Sequence, residues 1–250
     1  MIQHPHQTEA TGHTEGGSGQ PSARCLGLVP CSRKWVLGLI GLGVALCVIA
    51  VGVVAIERLT RTERSERAAA AHTDELYRDP ASLVVGNPEG DVSIVAFHDY
   101  NCPDCRAGAP ELVRLTDEDG QVKLILKDLP VLGRDSEDVA RIVLAAERQG
   151  GALELHRRLE TIQGRASKFR ALKIADELGL DQSRLERDMN DPEISSVLAA
   201  NKQLAGELGI RGVPFYLVGD QVWSAPPSEF YSSLKEQVAR VRSEGCGTGC

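Results

Sequence analysis

Two cysteines three positions apart, Cys102 and Cys105, constrain this chain more than any other feature, because of where they fall in Phe97-His98-Asp99-Tyr100-Asn101-Cys102-Pro103-Asp104-Cys105-Arg106. Val92 to Phe97 reads as a largely buried strand. Pro103 fits the first turn of a helix, where its missing N–H costs nothing, and that helix would run through Ala107, Leu112 and Leu115 towards Asp117. The pair therefore sits at a strand-to-helix turn. Two thiols at this spacing can close a small disulfide ring, and the free N–H groups of a helix start favour negative charge on the first sulfur. That is the chemistry of thiol–disulfide exchange.

The chain before the pair divides by composition. Residues 1–34 carry Gly, Ser, Pro, Gln and three histidines (His4, His6, His13) without an apolar period, so they read as a disordered tail rather than a metal tract. Cys25 and Cys31 lie next to the following apolar run, where acylation is a conceivable modification. Residues 35–56 form a run of 22 without a charge, enough helix to cross a hydrocarbon core of ~30 Å. The run exceeds the apolar core of a cleaved signal peptide, and Ala68 to Ala71 lie too far beyond it for a cleavage site. A single transmembrane helix is the reading. Residues 57–79 alternate Arg and Glu around an alanine run and read as a charged, solvated spacer, with no sustained heptad for self-association. Arginines flank the span on both sides, so charge alone does not orient it.

Past the pair, residues 122–126 read as a second buried strand ending in Lys127-Asp128-Leu129-Pro130. A helical stretch of about 134–208 follows, its apolar positions recurring at helical spacing and interrupted at Gly150-Gly151, Gly164, Gly179 and Asp191-Pro192. Val213-Pro214-Phe215 opens a late strand that ends at Gly219-Asp220. Gln221 to Trp223 returns as a hairpin, and an amphipathic helix closes the domain near residue 243. Residues 244–250 form a Gly/Cys tail holding Cys246 and Cys250. The net charge of −7 and aromatic content of 4 % exclude a nucleic-acid footprint, and seven cysteines are too few to staple a chain of 250 residues.

Cys102-Pro103-Asp104-Cys105 after a strand, with Gly212-Val213-Pro214 before a late strand and helices between, resembles the DsbA family of thiol–disulfide oxidoreductases over roughly residues 80–243. The resemblance implies an α/β, thioredoxin-like fold with a helical insertion, preceded here by one transmembrane helix, and a protein disulfide oxidoreductase that needs no cofactor or metal. It implies that Cys102 is the exposed nucleophile, Cys105 the buried resolving thiol, Pro214 a cis proline facing them, and Val213 the backbone that pairs with substrate. Protein thiols and disulfides are then the substrates, with a membrane or soluble redox partner recycling the pair. Such chemistry persists outside the reducing cytosol, which orients the domain to the periplasmic or extracytoplasmic side.

Three residues would tune the pair: Pro103, Asp104 and Lys127. Strongly oxidising relatives carry a histidine at the position of Asp104, and a carboxylate there raises the energy of a Cys102 thiolate, so a milder oxidant is expected. The family's buried acid six residues before the first cysteine is replaced by Ala96, leaving Lys127 without that partner. His98 is expected to be a partly exposed neighbour. Two other functions fit the motifs less well: a membrane-tethered client-binding module, and a zinc site built from Cys102, Cys105, Cys246 and Cys250. The last two cysteines could equally pair with each other or reach another thiol as accessory groups.

Overall fold

The computed structural model describes residues 33–245 and 247, with side chains from residue 40 onward. The tail expected over 1–34 and the accessory thiols Cys246 and Cys250 lie outside the described residues, apart from Arg33 and Lys34, which open the first helix.

That helix, α1 (Arg33–Ala71), carries the apolar run. It is the one helix among the described residues that is long and apolar enough to cross a membrane, with a mean hydropathy of 2.5 over its most apolar window and none of that window buried. Compactness divides the chain between Gly52 and Val53, inside α1. The second unit therefore includes the end of α1, and this end is not a free spacer as the charge pattern implied. Ser65 donates to the carbonyl of Leu208 at 2.7 Å, Glu66 accepts the backbone N–H of Val222 at 3.1 Å, and Ala69 is buried. The small side chains of Ala68 and Ala69 let this helix surface come close to the domain. A short α2 (Thr73–Tyr77) follows.

Five strands form one sheet in the order β1-β3-β2-β4-β5, namely β1 (Leu83–Gly86), β2 (Val92–His98), β3 (Val122–Asp128), β4 (Phe215–Val218) and β5 (Gln221–Trp223). β2 and β3 run parallel, joined by α3 (Pro103–Glu118), and the other pairings are antiparallel. Both central strands are buried on both faces, hence their near-continuous apolar sequences. Ile94, Ala96, Leu124 and Leu126 point to one face, under α3 and the closing helix α9 (Phe230–Glu244). Val95, Phe97 and Ile125 point to the other, under α2 and the end of α8. Between β3 and β4 lie α4 (Arg134–Glu147), α5 (Ala152–Thr161), α6 (Lys168–Glu177), α7 (Gln182–Asp188) and α8 (Pro192–Glu207), which build a second core of their own. The chain leaves this helical block and turns into β4 through a cis Val213–Pro214 bond.

Candidate active site

Cys102 is the N-cap of α3 and Pro103 its first residue. The Cys102 Sγ accepts the backbone N–H of Cys105 at 3.3 Å and donates to the carbonyl of Val213 at 3.5 Å. Both cysteines are free thiols. The helix start, the cis Val213–Pro214 bond and the pair thus meet at one point, although more than a hundred residues separate the two motifs. Residual exposure is 5 % for Cys102 and 2 % for Cys105, so the first thiol is far less open than the resemblance implied; the Val213 carbonyl sits against its sulfur. Burial pushes the Cys105 thiol far above its ordinary range, and the neighbouring Cys102 adds to this, as does the charge of Glu160. Pro103 and Asp104 are exposed on the first turn.

Side chains around the pair clamp distant loops to it. Asp99 accepts N–H groups from Asn101 at 2.8 Å, Val131 at 2.8 Å and Leu132 at 2.9 Å, which fixes the loop after β3 beside the motif. Asn101 exchanges hydrogen bonds with the backbone of Ala166, at 2.9 and 2.8 Å. Arg106 donates to the carbonyls of Glu160 and Gly164 at 3.3 and 2.7 Å. Outside α1, the exposed large hydrophobic side chains among the described residues are Val131, Leu132 and Phe169. All three lie on or beside the loops so clamped.

The positions below the motif depart from expectation. Lys127 was expected under the pair, but β3 alternates, and Lys127 follows Leu126 onto the face away from α3. There it is buried and bonds Asp79 at 2.6 Å. That pairing lowers the Asp79 carboxyl pKa against the opposing effect of burial, and burial pulls the lysine down. His98 is not a partly exposed neighbour. β2 runs one residue further than the pattern indicated, so His98 pairs in register with Asp128 and α5 covers it. His98 Nε2 is 3.1 Å from Asp128 Oδ1 and its Nδ1 is 3.5 Å from Glu160 Oε1. These are charge-pairing distances without hydrogen-bond alignment, and both ring nitrogens and both Glu160 oxygens lack a hydrogen-bond partner. Burial opposes the imidazolium, but the two carboxylates reverse this and lift His98 to about 10.

Next to them, the Tyr100 hydroxyl meets His156 Nδ1 at 3.0 Å, and burial holds His156 well below its ordinary value. Donor atoms of His98, His156 and Glu160 lie within 4.8 Å of one another, with His98 Nδ1 3.5 Å and His156 Nδ1 4.0 Å from Glu160 Oε1. Tyr216, opposite Ala96 in the sheet, brings its hydroxyl against Gly108, where an added Cβ would sit 2.9 Å away. Glu160, His156 and Tyr216 were not among the residues that the motifs singled out. For the first two there was a signal: in Leu155-His156-Arg157-Arg158-Leu159-Glu160 the ionisable pair falls on the same helical stripe as the leucines.

A profile of the DSBA-like thioredoxin domain matches residues 93–235. The chain belongs to the DSBA-like thioredoxin domain family. Among solved structures, this DSBA-like chain is similar to a thioredoxin-like oxidoreductase from Silicibacter pomeroyi DSS-3, with 40 % identity, a TM-score of 0.63, and coverage of 68 % of this chain and 97 % of that one. The catalytic domain of Proteus mirabilis ScsC shows 26 % identity and a TM-score of 0.64 over 71 % of this chain and 98 % of its own. A periplasmic thioredoxin-like protein from Salmonella enterica serovar Typhimurium shows 27 % identity and a TM-score of 0.61, covering 68 % and 95 %. Among curated proteins, a Na(+)/H(+) antiporter NhaA 3 from Salinispora tropica is 26 % identical over 168 residues, 65 % of this chain. The match spans only 26 % of that antiporter's length, so its transport activity is not carried over to this DSBA-like chain.

Proposed function

We propose that the protein exchanges disulfides with protein thiols through Cys102 and Cys105, from a domain held at the outer side of a membrane by one spanning helix. The observation that carries this reading is the seat of the Cys102 Sγ between the Cys105 N–H and the Val213 carbonyl at the start of α3. Starting from the oxidised pair, a substrate thiolate attacks the Cys102 sulfur. A mixed disulfide forms, the Cys102–Cys105 bond breaks, and Cys105 leaves with the electron pair. Its burial makes the free thiolate costly, so it takes a proton. A second substrate thiolate then attacks the substrate sulfur of the mixed disulfide and releases Cys102. Two electrons have passed from two substrate thiols to the pair, and the reverse sequence reduces a substrate disulfide.

Val213 offers its backbone beside the sulfur to an extended substrate segment. Val131, Leu132 and Phe169 add an apolar rim of the kind that accepts unfolded chain. Asp104, exposed one residue before Cys105, favours the disulfide over a strongly oxidising pair. A membrane or soluble partner restores the pair after each turnover. The outward orientation rests on the persistence of such chemistry outside the cytosol, and a periplasmic thioredoxin-like relative supports it.

The test uses the full chain in detergent micelles. Cys105→Ser should trap a mixed disulfide with glutathione at Cys102, and Cys102→Ser should form none and lose dithiol oxidation. Wild-type turnover by Cys102→Ser would overturn the exchange reading and favour a client-binding module.

A further inference from the structure

Where β2 meets α5, a buried polar cluster is left short of partners. His98 ends β2, and His156 and Glu160 lie one turn apart on α5. All three are buried, and their donor atoms lie within 4.8 Å of one another. The Glu160 Oε1 is 3.5 Å from His98 Nδ1 and 4.0 Å from His156 Nδ1, and the two imidazole rings meet edge to face with centroids 5.4 Å apart. Both ring nitrogens of His98, both oxygens of Glu160 and the Asp128 Oδ1 lack an aligned hydrogen bond. Buried ionic groups are costly unless they are paired and hydrogen-bonded, so a cluster of such atoms at one point calls for a further group. The donor set says which. Two imidazoles and a carboxylate suit a zinc-like divalent ion, whereas magnesium and calcium prefer oxygen throughout.

We propose that His98, His156 and Glu160 bind one zinc-like divalent cation, with Asp128 as the outer partner of His98. Zinc bonds of about 2.0–2.1 Å set tetrahedral ligands ~3.4 Å apart, so separations of 3.5 and 4.0 Å close on an ion by small side-chain movements. The Asp128 Oδ1 lies 3.1 Å from His98 Nε2, the place of the carboxylate that orients a metal-bound histidine, and leaves Nδ1 facing Glu160. The Tyr100 hydroxyl, 3.0 Å from His156 Nδ1, would turn from that nitrogen as the ion takes it. With both imidazoles neutral, Glu160 and Asp128 balance the two charges of the ion. Without the ion, the proton that His98 holds between the two carboxylates fills part of this role. A cleft of about 350 Å³ between α3 and α5, lined by His156 and Glu160, supplies entry and room for water as a further ligand. Arg157 shares that cleft, with its guanidinium reaching Asp117 at 3.5 Å. The site takes no part in the exchange chemistry and does not rest on it. Its ion would tie α5 of the helical insertion to the ends of β2 and β3.

The test is calorimetric titration of zinc into the full chain in detergent micelles, stripped of metal with EDTA. Thiols are removed from the count by oxidising Cys102 and Cys105 to their disulfide and alkylating the other cysteines. One equivalent should bind in addition to any taken by His4, His6 and His13. Asp128→Asn should weaken that equivalent on the order of tenfold, and Glu160→Gln and His156→Gln should abolish it. Zinc should raise the unfolding temperature of the wild type and leave that of Glu160→Gln unchanged. No additional equivalent in the wild type, or one that persists in the folded Glu160→Gln and His156→Gln variants, overturns the inference. If those variants do not fold, cobalt(II) bound to the wild type decides: a tetrahedral spectrum without a thiolate charge-transfer band supports the site, and the lack of a tetrahedral spectrum overturns it.

Discussion

Asp99 is 1 % exposed and accepts three backbone N–H groups, two of them from the loop that carries Val131 and Leu132. Charge-assisted bonds of this kind are about twice as strong as neutral ones. Replacing Asp99 by Ala should therefore cost about 3 kcal/mol of stability and release the loop; urea midpoints and amide exchange at Val131 and Leu132 would measure both. A fall below about 0.5 kcal/mol would contradict this account of the clamp. His98 and His156 give the stability a pH dependence with two limbs. His98 titrates near 10 in the folded protein against an ordinary 6.5, so its contribution is complete below pH 6.5 and is lost as pH rises through 10. His156 is depressed, by burial first and then by the charges on His98 and Arg157. The unfolded chain takes up its proton below 6.5 while the folded one does not, so stability falls on that side too. Urea midpoints across pH 5 to 10 should peak near neutrality. His98→Gln should flatten the alkaline limb and His156→Gln the acidic one, and limbs unchanged in both variants would reject the assignment.

At the level of elements, α3 and the turn into β4 were readable because their constraints are local: a proline at the first helical position, a thiol at the cap, and Val213-Pro214 ahead of a short apolar strand. The alternation of β2 and β3 could be read too, but not its partner across the sheet, because parallel register is set by the crossover helix and leaves no mark in either strand. That is why His98 and Lys127 were misplaced. Once His98 is paired with Asp128 and Ala96 with Leu126, Lys127 can only face α8, where Asp79 meets it. The end of α1 was misread for a related reason: alternating Arg and Glu describe a solvated surface, yet the contacts that dock it come from the uncharged Ser65 and Ala69 and from Glu66, a member of that pattern whose carboxylate is taken by the backbone of β5. Ala69→Leu should overpack this contact and cost about 1–3 kcal/mol, seen as a lower unfolding midpoint of the full chain together with new protease cleavage between residues 57 and 72. Resistance equal to wild type would mean the helix end is not held there.

For the molecule as a whole, the sheet and the helical insertion play separate parts. The sheet positions the sulfurs, and the insertion covers them, since Asn101 and Arg106 reach across to the loops after α5 and Glu160 comes from α5 itself. Each half has its own apolar core. The two meet through polar contacts around the motif and through the apolar end of α8, whose Leu204 and Ala205 pack under the sheet, and the fold class was legible in the sequence while this division of labour was not. The 5 % exposure of Cys102 has a consequence in time. A cysteine on a finished domain brings its neighbours with it and is kept from a sulfur covered to this extent, whereas a cysteine on a loose chain can approach it. Under the exchange reading, the protein selects its clients by their age: a polypeptide is a substrate for the interval before it folds, and leaves the pool by folding.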